Sequence, residues 1–271
     1  MSSLAYEGSR PDAARPRMPL VVLWFYLVTC VAAALFGLVQ PTLAIDPVII
    51  QLNQFGPAVG VLAVLLAWRR WRPPLATGFG LSRQVLIRLV VVVVLAGVIF
   101  AVFVGITGLA GVSRHGIRPG QLPYPFWLIL AAQLIGACGE EFGWRCFLQP
   151  YVRARCGVVS SGALVGLLWG AWHVQVFSRG LVFAAGFLAM AVALSIMLAV
   201  LQEQSRHGVL IIAGGFHMLV NIGMLLLTGD SNGDAVQLSL TAACVLTACG
   251  VLLAAARRGI ALTGVGGGDR A

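Results

Sequence analysis

Three short groupings of polar residues interrupt stretches that are otherwise almost wholly apolar. They are Glu140, Glu141 and Arg145 in GEEFGWR, Trp169 and His173 in WGAWHVQ, and His217 and Asn221 in GFHMLVN. Glu141 and Arg145 stand four apart with the carboxylate on the N-terminal side, the favourable order for an ion pair along one helical face. Glu140 points about 100° round the helix and has no local partner. A carboxylate so placed can take a proton from water as a general base; a structural salt-bridge network is the alternative. His173, one turn after Trp169, could bind a proton, a metal or a substrate carbonyl, or be hydrogen-bonded core. His217 and Asn221, again one turn apart, could both donate toward one point, which suits the oxyanion of acyl transfer. Asn221 could equally join two helices.

These residues need elements that bury them. The chain is 59% apolar and only 10% charged, where soluble domains carry about 25% charged residues. Uncharged runs of about twenty residues recur, each long enough to cross a hydrocarbon core of roughly 30 Å. The expectation is an all-α polytopic membrane bundle of about eight transmembrane helices. The spans are read at 19–40, 48–68, 86–110, 125–149, 160–177, 181–202, 208–228 and 237–256. Connectors such as QPTLAIDP and TGDSNGD are rich in Pro, Gly and Asp. Residues 1–18 read as a disordered cytosolic tail before a first span that is retained, without the small-residue cleavage site of a signal peptide. Residues 19–256 form the membrane domain, and 257–271 read as a flexible C-terminal tail. An ionisable residue within a span costs upwards of about 2.5 kcal/mol and is a functional candidate for that reason. Glu140, Glu141 and Arg145 lie on the fourth span, His173 on the fifth, and His217 with Asn221 on the seventh.

All eighteen basic residues are arginine, and lysine is absent, which points to a GC-rich, bacterial source. Arg145 lies within a span, and Arg114, Arg118 and Arg179 fall on one side; the rest, from Arg10 to Arg270, fall on the side of the termini. Positively charged connectors stay inside, so both termini are expected in the cytosol. The net charge of +9 therefore reads as topology, and nucleic acid is not an expected partner. None of the six cysteines forms a C-x-x-C pair, so no redox or zinc-cluster chemistry is indicated. Gly162, Gly166 and Gly170 recur every four residues, giving the fifth helix a smooth face for close packing.

Depth brings the groupings together. At 1.5 Å per residue, Glu140 and His217 lie roughly 13 Å from the cytosolic ends of their helices, with Asn221 at roughly 19 Å and His173 at roughly 20 Å. One polar cavity can contain all four.

The ordered trio, E-E-x-x-x-R, then aromatic-x-x-x-H, then H-x-x-x-N, on three apolar helices, resembles the CPBP family. That family comprises CAAX-type prenyl endopeptidases and bacteriocin-processing or self-immunity proteins, also called Abi. The resemblance covers roughly residues 125–225. Trp169 stands where the family often has phenylalanine, a change that aromatic packing should tolerate. The resemblance implies an eight-helix fold and a glutamate-dependent intramembrane protease. Glu140 and His173 would activate a water, His217 and Asn221 would stabilise the oxyanion, and Glu141 with Arg145 would support the fourth helix. No cofactor is expected. The alternative is zinc held by Glu140, His173 and His217, with an open position for water, although no H-E-x-x-H occurs. The expected partners are the lipid bilayer and a peptide or membrane-anchored protein substrate, in a bacterial cytoplasmic membrane. A proton-coupled transporter would use the same buried groups as a relay, but neither internal repeats nor broken helices are evident. A catalytically silent bacteriocin-immunity protein is the third reading.

Overall fold

The computed structural model describes residues 16–264 apart from 72, 79, 81, 204–206, 230 and 232. Residues 1–15 and 265–271 of the tails expected at either end, and Arg10, Arg15, Arg72, Arg206 and Arg270 of the topology argument, lie outside the described residues; of the expected C-terminal tail, Leu262 accepts the Val159 N–H at 3.2 Å and Gly264 accepts from Arg153 at 3.1 Å.

The described residues form helices and turns with no strand. The helices are α1 (Met18–Val39), α2 (Gly56–Ala67), α3 (Arg83–Leu109), α4 (Phe126–Glu141), α5 (Gln149–Arg153), α6 (Val158–Trp172), α7 (Leu181–Gln202), α8 (Val209–Thr228) and α9 (Asp234–Arg257). Five of these segments, α1 with its short 3-10 extension, α3, α7, α8 and α9, are long and apolar enough to cross a membrane. Their outward faces carry exposed Leu, Val and Trp side chains such as Leu38, Val90, Leu109, Leu181 and Trp24. The protein is an integral, multi-pass helical bundle.

Three expected spans depart from plain helices, and all three departures adjoin the polar residues. The stretch read as a helix over 48–68 is helical in α form only from Gly56. Gly56 packs against Thr29 and Ala33 of α1, and Gly60 against Thr29 and Phe25. At 1.5 Å per residue, the chain thus returns roughly 12 Å from the end of α1 in turns and a 3-10 segment before α2 begins. Non-helical backbone at membrane depth is tolerated where protein buries it or it lines a cavity.

The helix read over 125–149 changes form at Phe142–Leu148, which is a π-helix. Pro150 has no N–H to return to the carbonyl four residues back. That carbonyl, of Cys146, instead accepts the Ala76 N–H at 2.8 Å and pins the connector between α2 and α3.

The helix read over 160–177 ends at Trp172, and His173 takes φ −77° and ψ 66°. At the stop, the His173 side chain takes the place of its own backbone N–H. Its Nδ1 pairs with the Trp169 carbonyl at 2.9 Å, the acceptor that the His173 backbone N–H would use in an α-helix. That N–H turns to the Gly170 carbonyl at 3.2 Å. A side chain can compete in this way for a backbone acceptor.

The glycine face on α6 packs as expected. A Cβ at Gly166 would stand 2.7 Å from the Ser195 Cβ and the Val192 Cα of α7, with Gly162 and Gly170 meeting the same helix one turn away on either side. Because the obstacles at Gly166 include backbone, Gly166→Leu is expected to force the two helices apart. The expected loss is about 1–3 kcal/mol of stability, read by denaturant titration of the protein in micelles. Unchanged unfolding would show that the interface can slide.

Candidate active site

Glu140 and Glu141 close α4, Trp169 occupies the last turn of α6, His173 follows its end, and His217 and Asn221 lie on successive turns of α8. These elements, with α7 and the segment before α2, line a cavity of about 450 Å³. Glu140, Glu141, Trp169, His173, His217 and Asn221 all line it. Arg145 stands behind, fully buried. A second cavity of about 420 Å³, beside α1, shares Glu140 and His173 with the first.

Both oxygens of Glu140 are engaged. Gln54 Nε2 donates to Oε1 at 3.1 Å and Trp169 Nε1 donates to Oε2 at 2.9 Å. Glu140 has no partner on α4, as its spacing suggested, but it is not unpaired: both donors come from other elements, and spacing along α4 carries no sign of a donor 86 residues away. Trp169 is also more than a tolerated aromatic, since its indole N–H supplies a bond that phenylalanine has no atom to make.

Glu141 is shared. Its Oε2 lies 3.3 Å from Arg145 Nε, with both side chains fully buried, although the pair is not aligned as a hydrogen bond. Its Oε1 pairs with His217 Nδ1 at 2.8 Å. The Arg145 guanidinium also sits 5.2 Å from the centre of the Trp169 ring. The ion pair expected from the four-residue spacing is therefore present, and His217 belongs to it as well.

His217 and Asn221 do not simply converge on one point. Asn221 Nδ2 donates to Gln133 Oε1 at 3.3 Å, while His217 turns its Nδ1 to Glu141. Each still faces the cavity with capacity to spare. The Asn221 amide has a second N–H, and Nε2 of His217 remains for a ligand. With Nδ1 of His173 set against a carbonyl, Nδ1 carries the proton and Nε2 of the neutral ring is an acceptor. The imidazole lies between Trp172, edge-on at 4.9 Å between ring centres, and Phe187, tilted at 5.1 Å.

The zinc alternative meets a poor donor set. Among the described residues no group of three or more His, Cys, Asp or Glu side chains is gathered to hold a metal ion. The arrangement does not fit a cage built from Glu140, His173 and His217.

Gln54 and Gln133 carry no motif and were not among the residues singled out by sequence. A helix-by-helix reading of polar residues could have raised Gln133, which lies two turns before Glu140. Gln54 sits in a stretch read as an ordinary span.

Residues 122–223 match the family described as type II CAAX prenyl endopeptidase Rce1-like, and all three polar groupings fall within that match. The chain is also similar to lysostaphin resistance protein A of Staphylococcus aureus. In strains Newman and COL the identity is 22% over 224 residues, covering 82% of this chain and 53% of the relative. The chain thus spans about half the length of the curated relatives it matches. The resemblance drawn from the three groupings is borne out by both comparisons.

Proposed function

We propose, for a chain whose residues 122–223 are Rce1-like, that it is an intramembrane endopeptidase. It would hydrolyse a peptide bond of a membrane-associated or lipid-anchored protein or peptide. The observation that carries this reading is the one cavity that Glu140, His173, His217 and Asn221 line together.

In the proposed reaction, a water lies between the Glu140 carboxylate and Nε2 of His173. Glu140 takes one proton as the water oxygen attacks the scissile carbonyl. The oxyanion of the tetrahedral intermediate is met by the free N–H of Asn221 and by Nε2 of His217. For His217 to donate there, the ring must carry both protons, and the Glu141 carboxylate against Nδ1 supports that form. Glu140 then returns its proton to the departing amine as the C–N bond breaks. Glu141 and Arg145 hold the ring and the end of α4 in place. Apolar walls such as Phe187, Leu194 and Phe216 lower the local dielectric, which strengthens these interactions.

The test compares new protein termini and released peptides in membranes expressing wild type or Glu140→Ala. Ends formed only with wild type would establish proteolysis and identify the substrate. Equal sets of ends, with both proteins present in equal amount, would sink the enzyme reading in favour of transport or immunity.

No step is derived through a metal, because the donor set does not fit one. Once a cleaved peptide is in hand, its hydrolysis by purified protein is expected to survive prolonged dialysis against a strong zinc chelator. Loss of the activity with recovery on adding zinc would overturn this reading.

A further inference from the structure

The general base proposed above carries a hydrogen bond from a residue outside every motif and outside the family match. We infer that Gln54 is a positioning residue for the hydrolysis, acting through Glu140. It fixes the plane of the carboxylate so that a water on the remaining lone pairs is aimed at the scissile carbonyl. The inference rests on the peptidase reading.

The terminal torsion of a glutamate is broad and roughly two-fold, so one hydrogen bond leaves the carboxylate free to pivot. Here two donors hold it from different elements: Gln54 on Oε1 at 3.1 Å, and Trp169 of α6 on Oε2 at 2.9 Å. The group cannot turn without breaking both. Each carboxylate oxygen keeps a second lone pair, so the clamp leaves room for a water to donate.

Gln54 is itself held. Its side chain is only 6% exposed, and the place of its amide exists because position 136 is glycine: a Cβ there would overlap the Gln54 side chain. The amide can face only one way, since the reverse would set its carbonyl against a carboxylate. The cost is visible at its other end, where Gln54 Oε1 is buried without a hydrogen-bond partner. A buried unsatisfied carbonyl is unfavourable, and such departures are expected where function requires them.

The backbone that delivers Gln54 is fixed on both sides. Upstream, buried Gln40 ties the returning chain by donating to the carbonyls of Ile45, at 3.1 Å, and Ile50, at 3.0 Å. It also accepts the Leu52 N–H at 2.8 Å. Tyr124 donates to Asp46 Oδ2 at 3.0 Å, fastening the same segment to the approach to α4. Downstream, Phe55 packs at Gly139 and Pro57 at Gly143. A segment that carries no chemistry of its own is thus built to present one amide to Glu140.

The test has two arms on the purified full-length protein in micelles. In the first, the infrared stretch of the Glu140 carboxyl group is assigned by subtracting the spectrum of Glu140→Gln. Gln54→Leu is expected to move that band, and an unmoved band overturns the contact whether or not a substrate is known. In the second, the probe is a synthetic peptide spanning the cut found by the termini comparison. Gln54→Leu is expected to lower kcat roughly 10- to 100-fold, with KM held within about two-fold. Full kcat would overturn the role. A merely structural residue would instead lower Tm and leave the spectrum of the folded fraction unchanged. Gly136→Ala should reproduce the band shift and the loss of kcat, and adding Gln54→Leu to it should cost nothing more. Losses that multiply would break the link between the two positions. If wild type releases no new ends, the peptidase reading fails by itself, and the infrared arm still decides whether Gln54 governs Glu140.

Discussion

Replacing Glu140 with glutamine is expected to lower the hydrolytic rate by about 10²–10⁴-fold, the usual contribution of a general acid–base group, while the protein stays folded. The substitution keeps the size of the side chain but removes its capacity to take a proton. It also turns an amide N–H₂ toward a donor. Glu140 accepts from Gln54 on one oxygen and from Trp169 on the other, and a glutamine can satisfy only one of them. Losing one bond to a charged acceptor costs about 1.5–3 kcal/mol, so a modest fall in unfolding temperature should accompany the loss of rate. The kinetic effect should appear in kcat, with KM little changed. Rates within a few-fold of wild type would remove Glu140 from the proton transfer and leave the cavity as a binding site.

The second large effect belongs to stability. Glu141→Ala removes the counter-charge of a fully buried Arg145 and the partner of His217 Nδ1 in one step. Breaking one side of a buried ion pair typically costs 3–5 kcal/mol, and about that loss is expected here, because the remaining charge has no water to turn to. Denaturant titration in micelles would measure it. A companion variant separates charge from packing. Glu141→Leu combined with Arg145→Met removes both charges and should recover much of the lost stability. Cleavage should not return, since the ring of His217 would have lost the carboxylate that orients it. If Glu141→Ala unfolds like wild type, Arg145 must be satisfied by another group and the pair is not a support of the site. Return of activity in the double variant would show that His217 needs no carboxylate.

Much of this site is legible in the primary structure because hydrocarbon is an unforgiving solvent. Glu140, Glu141, Arg145, His173, His217 and Asn221 stand out among apolar residues, and depth arithmetic alone brings Glu140, His173, His217 and Asn221 into one layer. The pairing of Glu141 with Arg145 follows from helical spacing, and the close approach of α6 to α7 from glycines one turn apart. Partners between elements are not legible in this way. Gln54 meets Glu140 only because Gly136, Gly139 and Gly143 let the returning chain lie against α4, and glycines on two helices do not say which surfaces meet. His173 reads as one more residue of a helix, yet its ring takes the Trp169 carbonyl at the point where that helix ends. The π-helix at Phe142–Leu148 leaves the apolar pattern of the segment intact.

The sequence by itself therefore determined the solvent, the class of fold, the identity of the polar residues and their common depth. Each of these depends on composition and on a fixed rise per residue. Tertiary structure alone decided which oxygen of Glu140 meets which donor, that Glu141 serves both Arg145 and His217, and that a non-helical stretch before α2 forms a wall of the cavity. Those outcomes depend on how helices approach and where the backbone leaves its regular form. Contacts between residues distant along the chain set both, and local spacing does not encode them.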